Sequence, residues 1–209
     1  MTIEIFLRVY LYKIIALKNL LFVFLVVLFS CSIKKYDNPH IIIYTDYGKI
    51  EAELYPKQAP KTVAAFLSYI DRGLYNNGSF YRVMKDETLS EEYNSGFIQG
   101  GIIKTNPGLQ QTIPGIEMES PKTTSLSNTS GALSFARVNN GRATSEFFIC
   151  IGDQKQLDGN EPSPNNDGQG YAVFGKVVKG MKTVIKIQSI KSTGDALAFP
   201  AVIQNIKKL

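Results

Sequence analysis

Three short segments bring charge and amide groups next to aromatic residues. Phe80-Tyr81-Arg82-Val83 sets a guanidinium among apolar strand formers, and Gly96-Phe97-Ile98-Gln99-Gly100-Gly101 joins an aromatic and an amide to glycine-dependent backbone. Gly131-Ala132-Leu133-Ser134-Phe135-Ala136-Arg137 leads, through Asn139-Asn140-Gly141, to Ser145-Glu146-Phe147-Phe148-Ile149. Alternation along a strand puts Phe80 and Arg82 on the face opposite Tyr81 and Val83, and Phe97 and Gln99 on one face. Arg82, Phe97, Gln99 and Phe148 can then share one concave surface, an apolar floor with a guanidinium at its edge. Taken singly, the same segments also read as a strand arginine reaching for water beside ordinary core aromatics.

Composition removes most competing chemistries. The 209 residues include one His and two Cys, which nearly excludes a His/Cys metal site. A Ser-His-Asp or Cys-His mechanism would have to use His40, which borders the first strand and reads as a surface residue. Cys150 reads as a small core residue, with nothing nearby to depress its pKa. Gly170 to Lys176 matches most of a phosphate-binding loop, but Val177 follows it and strand formers fill it. Asp158–Asp167 is oxygen-rich without the spacing of a Ca²⁺ loop, and reads as a solvated loop. The net charge is +5; residues 1–30 carry three bases and one acid, so the remainder carries +3. No Lys/Arg cluster points to nucleic acid.

The elements that must position these residues begin after an address segment. Arg8, Lys13 and Lys18 precede ten apolar residues, Leu20 to Phe29. That run fits an export signal, whose apolar core is about 7–15 residues. It is short for a spanning helix, which wants about 20. Leu28-Phe29-Ser30-Cys31 resembles a bacterial lipoprotein processing site, so residues 1–30 are expected to be a signal, Cys31 to be lipidated and residues 31–39 to form a tether. An uncleaved signal anchor is the alternative. Both place the domain outside the cytoplasm on a membrane, and Ser32 after the Cys favours an outer membrane where two membranes exist.

From His40 onward the pattern is mostly strand. A hairpin covers residues 41–54, turning at Asp46 to Lys49, with Ile50, Ala52 and Leu54 inward. Pro60 opens a helix in which Val63, Phe66, Leu67 and Ile70 share a face, and Gly73 caps it. Strands are predicted at Ser79–Met84, Phe97–Gln99, Ala132–Ala136, Glu146–Ile151, Tyr171–Val178 and Ala201–Ile206. A second helix is predicted near Met181–Ser189, with Val184 and Ile185 inward. Many short strands and two distant helices predict a single-domain, closed or nearly closed antiparallel barrel.

Together these segments resemble the cyclophilin family of peptidyl-prolyl isomerases. The resemblance covers residues 40–209 and rests on Ala59-Pro60-Lys61-Thr62-Val63 with Phe66, Gly73 to Phe80, Gly96–Gly101, and Tyr171-Ala172-Val173-Phe174-Gly175-Lys176-Val177. It implies a mainly β fold, a closed eight-stranded antiparallel β-barrel capped by two α-helices, and no cofactor or metal. By the same resemblance the catalytic arginine falls on Arg82, with Gln99 and Phe97 beside it. The substrate groove falls on Phe97, Ile98, Phe148 and Leu157, with Ala136, Arg137, Tyr81, Glu146 and Tyr171 around it.

The departures from the family pattern are specific. Tyr81 stands where many members have His, Ile98 where Met is common, and Glu146 where Gln is usual. A carboxylate there accepts but cannot donate, and it could pair with Arg82, pulling it off the substrate or merely holding it in place. Gln156 replaces an aromatic associated with cyclosporin binding, which implies weak sensitivity. Asp86–Ser95 and Asn160–Gln169 look like loops that could narrow the site. The expected function is isomerisation of X-Pro bonds in unfolded or flexible exported polypeptides by a membrane-tethered monomer. The alternative is a catalytically weak module that binds proline-containing segments.

Overall fold

The computed structural model describes residues 8, 10–19, 36–85, 95–137, 143–159 and 168–209. The chain divides into two units, Met1–Tyr36 and Asp37–Leu209. In the first, residues 10–19 are helical and exposed. Among the described residues no helix is long and apolar enough to cross a membrane. The apolar run from Leu20, Cys31 and most of the tether lie outside them, as do residues 86–94 and 160–167 of the two expected loops.

The second unit is a barrel. Its strands are β1 (His40–Thr45), β2 (Gly48–Leu54), β3 (Gly78–Lys85), β4 (Gly96–Gly101), β5 (Ala132–Arg137), β6 (Ala143–Ile151), β7 (Val173–Lys179), β8 (Ser192–Thr193) and β9 (Ala196–Lys208). They run in the order β1-β2-β7-β5-β6-β4-β3-β9, and β9 pairs back to β1, closing eight antiparallel strands. The two-residue β8 only extends β9 as a hairpin arm. Asn38 and Pro39 already bond to β2, through Glu53 and the amide of Leu54.

Helix α1 (Pro60–Asp71) begins with Pro at its first turn, where the missing N–H costs nothing. It ends in a Schellman motif at Gly73, whose φ of 67° suits glycine; Gly73 N–H bonds Ile70 and Leu74 N–H bonds Tyr69. Phe66 from this helix meets Tyr75, Phe135, Phe147 and Phe174 with ring centroids 4.8–5.9 Å apart. Two short helices, α2 (Pro107–Thr112) and α3 (Pro121–Thr124), lack the apolar periodicity that marks longer ones. Helix α4 (Met181–Gln188) buries Val184 and Ile187. The expectation that Ile185 faces inward fails: it is exposed, because the helical period puts Ile187, three residues on, beside Val184.

Alternation along β4, β5 and β6 separates two cores. Ile98, Leu133, Phe135, Phe147, Ile149 and Ile151 belong to the barrel interior. Phe97, Ala132, Ala136, Phe148 and Cys150 form a second cluster on the outer surface, with Leu126, Leu157 and Tyr171 against it. That outer cluster underlies the site.

Candidate active site

Strand β3 does not keep the alternation expected of it. Phe80 pairs with Gly100 and Arg82 with Gln99, so a bulge at Tyr81 leaves two residues facing one. Phe80 and Val83 therefore both enter the barrel core, while Tyr81 and Arg82 both face out. Strict alternation would have carried Arg82 inward with Phe80. The extra residue delivers the guanidinium to the outer surface.

There Arg82, Phe97, Gln99, Ala136, Arg137, Phe148, Leu157 and Tyr171 line a cavity of about 100 Å³. The Arg82 guanidinium stands 5.4 Å over the Phe97 ring, close enough for a cation–π contact. Phe97 lies 5.2 Å from Phe148, and Phe148 lies edge-on to Tyr171 at 5.4 Å. Arg137 in turn lies 5.1 Å over Tyr171. The result is an apolar floor walled by aromatic rings, with a guanidinium on two sides.

The orientation of Arg82 is set by polar partners. Its Nη1 donates to Gln99 Oε1 at 2.9 Å. Its Nε and Nη2 donate to Asp195 Oδ2 at 3.2 and 2.7 Å. Gln99 Nε2 donates to the Tyr81 hydroxyl at 3.3 Å, and that hydroxyl donates to Glu146 Oε2 at 2.7 Å. Glu146 Oε1 accepts from the amides of Ile102 and Ile103 and from Ser145 Oγ, at 2.8–3.1 Å. Burial, and after it the neighbouring Glu146 charge, pushes the Tyr81 phenol well above its ordinary range and keeps it a donor.

The structure thus brings together Arg82, Phe97, Gln99, Ala136, Arg137, Phe148, Leu157 and Tyr171, with Tyr81 one hydrogen bond behind. It separates two others. Ile98 is fully buried in the barrel core and turned away from the cavity, as its odd spacing from Phe97 and Gln99 dictates. Glu146 does not pair with Arg82, because its oxygens are taken by Tyr81 and the β4 exit; the guanidinium's carboxylate is Asp195.

Sequence reasoning missed Asp195, which lies 113 residues from Arg82 and reaches it only through the β8–β9 turn. It also misread Asp158 as solvated. That carboxylate accepts from Ser127 Oγ and from the amide and side chain of Asn128, fixing the turn that carries Leu157. Asn128 is fully buried and donates to the carbonyls of Leu157 and Tyr171, so both cavity walls hang on one side chain. His40, expected at the surface, is 9 % exposed in β1 with Nδ1 3.1 Å from Glu51 Oε1. Cys150 is buried behind the floor, its thiol pushed up to about 12 by burial and then by Asp158 and Asp153. A thiol held that far from ionisation is no nucleophile.

The family model for cyclophilin type peptidyl-prolyl cis-trans isomerase/CLD matches residues 40–208. A peptidyl-prolyl cis-trans isomerase of Acinetobacter baylyi is 36% identical over 157 residues, 75% of each chain. Peptidyl-prolyl cis-trans isomerase A of Dickeya dadantii is 33% identical over 186 residues, 86% of this chain and 89% of that one. Among solved structures, a Cryptosporidium parvum cyclophilin type isomerase superposes with a TM-score of 0.63 at 23% identity. The overlap covers 82% of this chain and 98% of that one, a likeness of fold. The match runs through the whole barrel at an identity well above that of a shared fold alone, and the chain belongs to the cyclophilin-type peptidyl-prolyl cis-trans isomerases.

Proposed function

We propose that this isomerase acts on exported polypeptides at a membrane surface and that Arg82 carries the electrostatic part of its catalysis. The role of Arg82 is supported by its guanidinium at the rim of the aromatic floor, oriented from two directions. Rotation about an X-Pro bond meets a barrier of about 18–20 kcal/mol because amide resonance is lost. At the twisted state the proline nitrogen becomes pyramidal and its lone pair accepts a hydrogen bond. Neither planar ground state offers that lone pair, so an N–H donor fixed beside it lowers the barrier selectively. In this reading Phe97, Phe148 and Leu157 hold the proline ring while the acyl side turns, and Gln99 orients Arg82.

The basic flank, the apolar run and Ser30-Cys31 support the membrane anchor. Replacing Cys31 with Ser in the full chain is expected to move the protein from the membrane to the soluble fraction and abolish incorporation of labelled fatty acid. An unchanged distribution would overturn the anchor.

For the chemistry, soluble protein from Ser32 onward is compared with Arg82→Ala on a short X-Pro peptide. Uncatalysed relaxation takes tens to hundreds of seconds. Acceleration at sub-stoichiometric protein that collapses in the variant is the expected result. If the variant accelerates relaxation as well as the parent, Arg82 is not the catalytic group.

A further inference from the structure

We propose that Asp195, in the turn between β8 and β9, is a positioning residue for the Arg82 guanidinium. This rests on the reading of Arg82 as the catalytic group and adds what aims it. A guanidinium has five N–H donors in a fixed plane. Asp195 Oδ2 takes the Nε–H and one Nη2 hydrogen, and Gln99 Oε1 takes one Nη1 hydrogen. Among the described residues, that leaves one donor on Nη1 and one on Nη2, with the plane held against rotation from both sides. A single partner would permit a swing about that contact; two partners on different nitrogens define the plane.

Backbone contacts deliver the carboxylate to this place. The Asp195 carbonyl accepts from the Val83 amide at 2.8 Å, immediately after Arg82 in the chain. Arg82 pairs in register with Ala196, and Thr193 pairs with Ala196 across the turn. The same strand edge that carries the arginine therefore fixes its counter-charge. Both side chains are about half exposed, 41% and 57%, and an ion pair in that setting adds little to stability. What the contact restricts is orientation, and a small misplacement of a catalytic group can cost up to about 100-fold in rate.

The test compares the full-length chain in detergent with Asp195→Ala, Asp195→Asn and Arg82→Ala. Turnover of an X-Pro peptide, affinity for that peptide and the thermal midpoint are measured for each. Asp195→Ala is expected to lower turnover about tenfold with affinity and midpoint unchanged. Asn can accept the same hydrogen bonds without charge, so Asp195→Asn is expected to recover most of the loss. Adding Asp195→Ala to Arg82→Ala is expected to change nothing further. If Asp195→Ala turns over as fast as the parent or faster, or Asn recovers nothing, the positioning role is overturned. An active Arg82→Ala would instead overturn the underlying assignment, and the two failures are read from different variants.

Discussion

Glu146 shows how one side chain changes meaning with its neighbours. As a carboxylate in place of an amide it invites pairing with the nearest arginine, yet its oxygens accept from Tyr81 Oη, two main-chain amides and Ser145 Oγ. All four contacts are donated to Glu146 and its two oxygens accept them, whereas an amide keeps only one accepting oxygen, so the Tyr81 hydroxyl would lose the acceptor for its proton. Glu146→Gln is therefore expected to lower unfolding free energy by about 1–3 kcal/mol, read from urea denaturation, through one mismatched buried contact. Its turnover is expected to stay within roughly threefold of the parent, because it stands three hydrogen bonds behind the guanidinium, beyond Gln99 and Tyr81. A large gain in turnover would mean that Glu146 restrains Arg82 after all. Tyr81→Phe cuts the same line nearer the site: Gln99 Nε2 loses its acceptor and Glu146 a donor. Turnover is expected to fall by about three- to tenfold with Arg82 still present, checked against Gln99→Ala as the upper limit of the effect.

At the scale of elements, the β3 bulge and the β4 exit decide where these side chains point. Gly101 ends β4 with φ 153°, and a Cβ there would fall onto the Glu146 carboxylate. Gly101→Ala is expected to cost more than about 2 kcal/mol of stability and to disturb Tyr81 together with Glu146. The check is the urea midpoint, alongside a surface glycine such as Gly108, whose Cβ would meet open space. Much of this layer was legible in the sequence. Proline at the start of α1, Gly73 after its end and alternation along β4 and β6 each have one local physical cause, and the elements lie where those causes put them. The bulge had no such mark, because an extra residue in a strand is visible only against its partner. Helices α2 and α3 are too short to show a period. Asp195 reaches the site through chain closure, as Asn128 does, so no spacing in the sequence announces either.

On the scale of the whole molecule, the barrel interior and the outer cluster beneath the cavity both bury groups that must stay neutral. Cys150 lies behind the cavity floor, Tyr75 is fully buried and Tyr81 lies beneath the site, and burial raises all three above their ordinary values. For each, the native state holds its proton where the unfolded chain would release it. Stability is then complete below the unfolded values, 9.0 for the thiol and 10.0 for the phenols, and falls as pH rises beyond them. With the folded thiol at about 12, Cys150 alone is expected to remove roughly 2 kcal/mol between pH 8 and pH 10.5. Urea unfolding of the parent and of Cys150→Ala at the two pH values separates this from other alkaline effects. The variant is expected to lose less stability across that range, whatever its packing defect costs at both ends. An equal loss in both proteins would mean that the thiol takes no part, and that the phenols and surface lysines govern the alkaline limit.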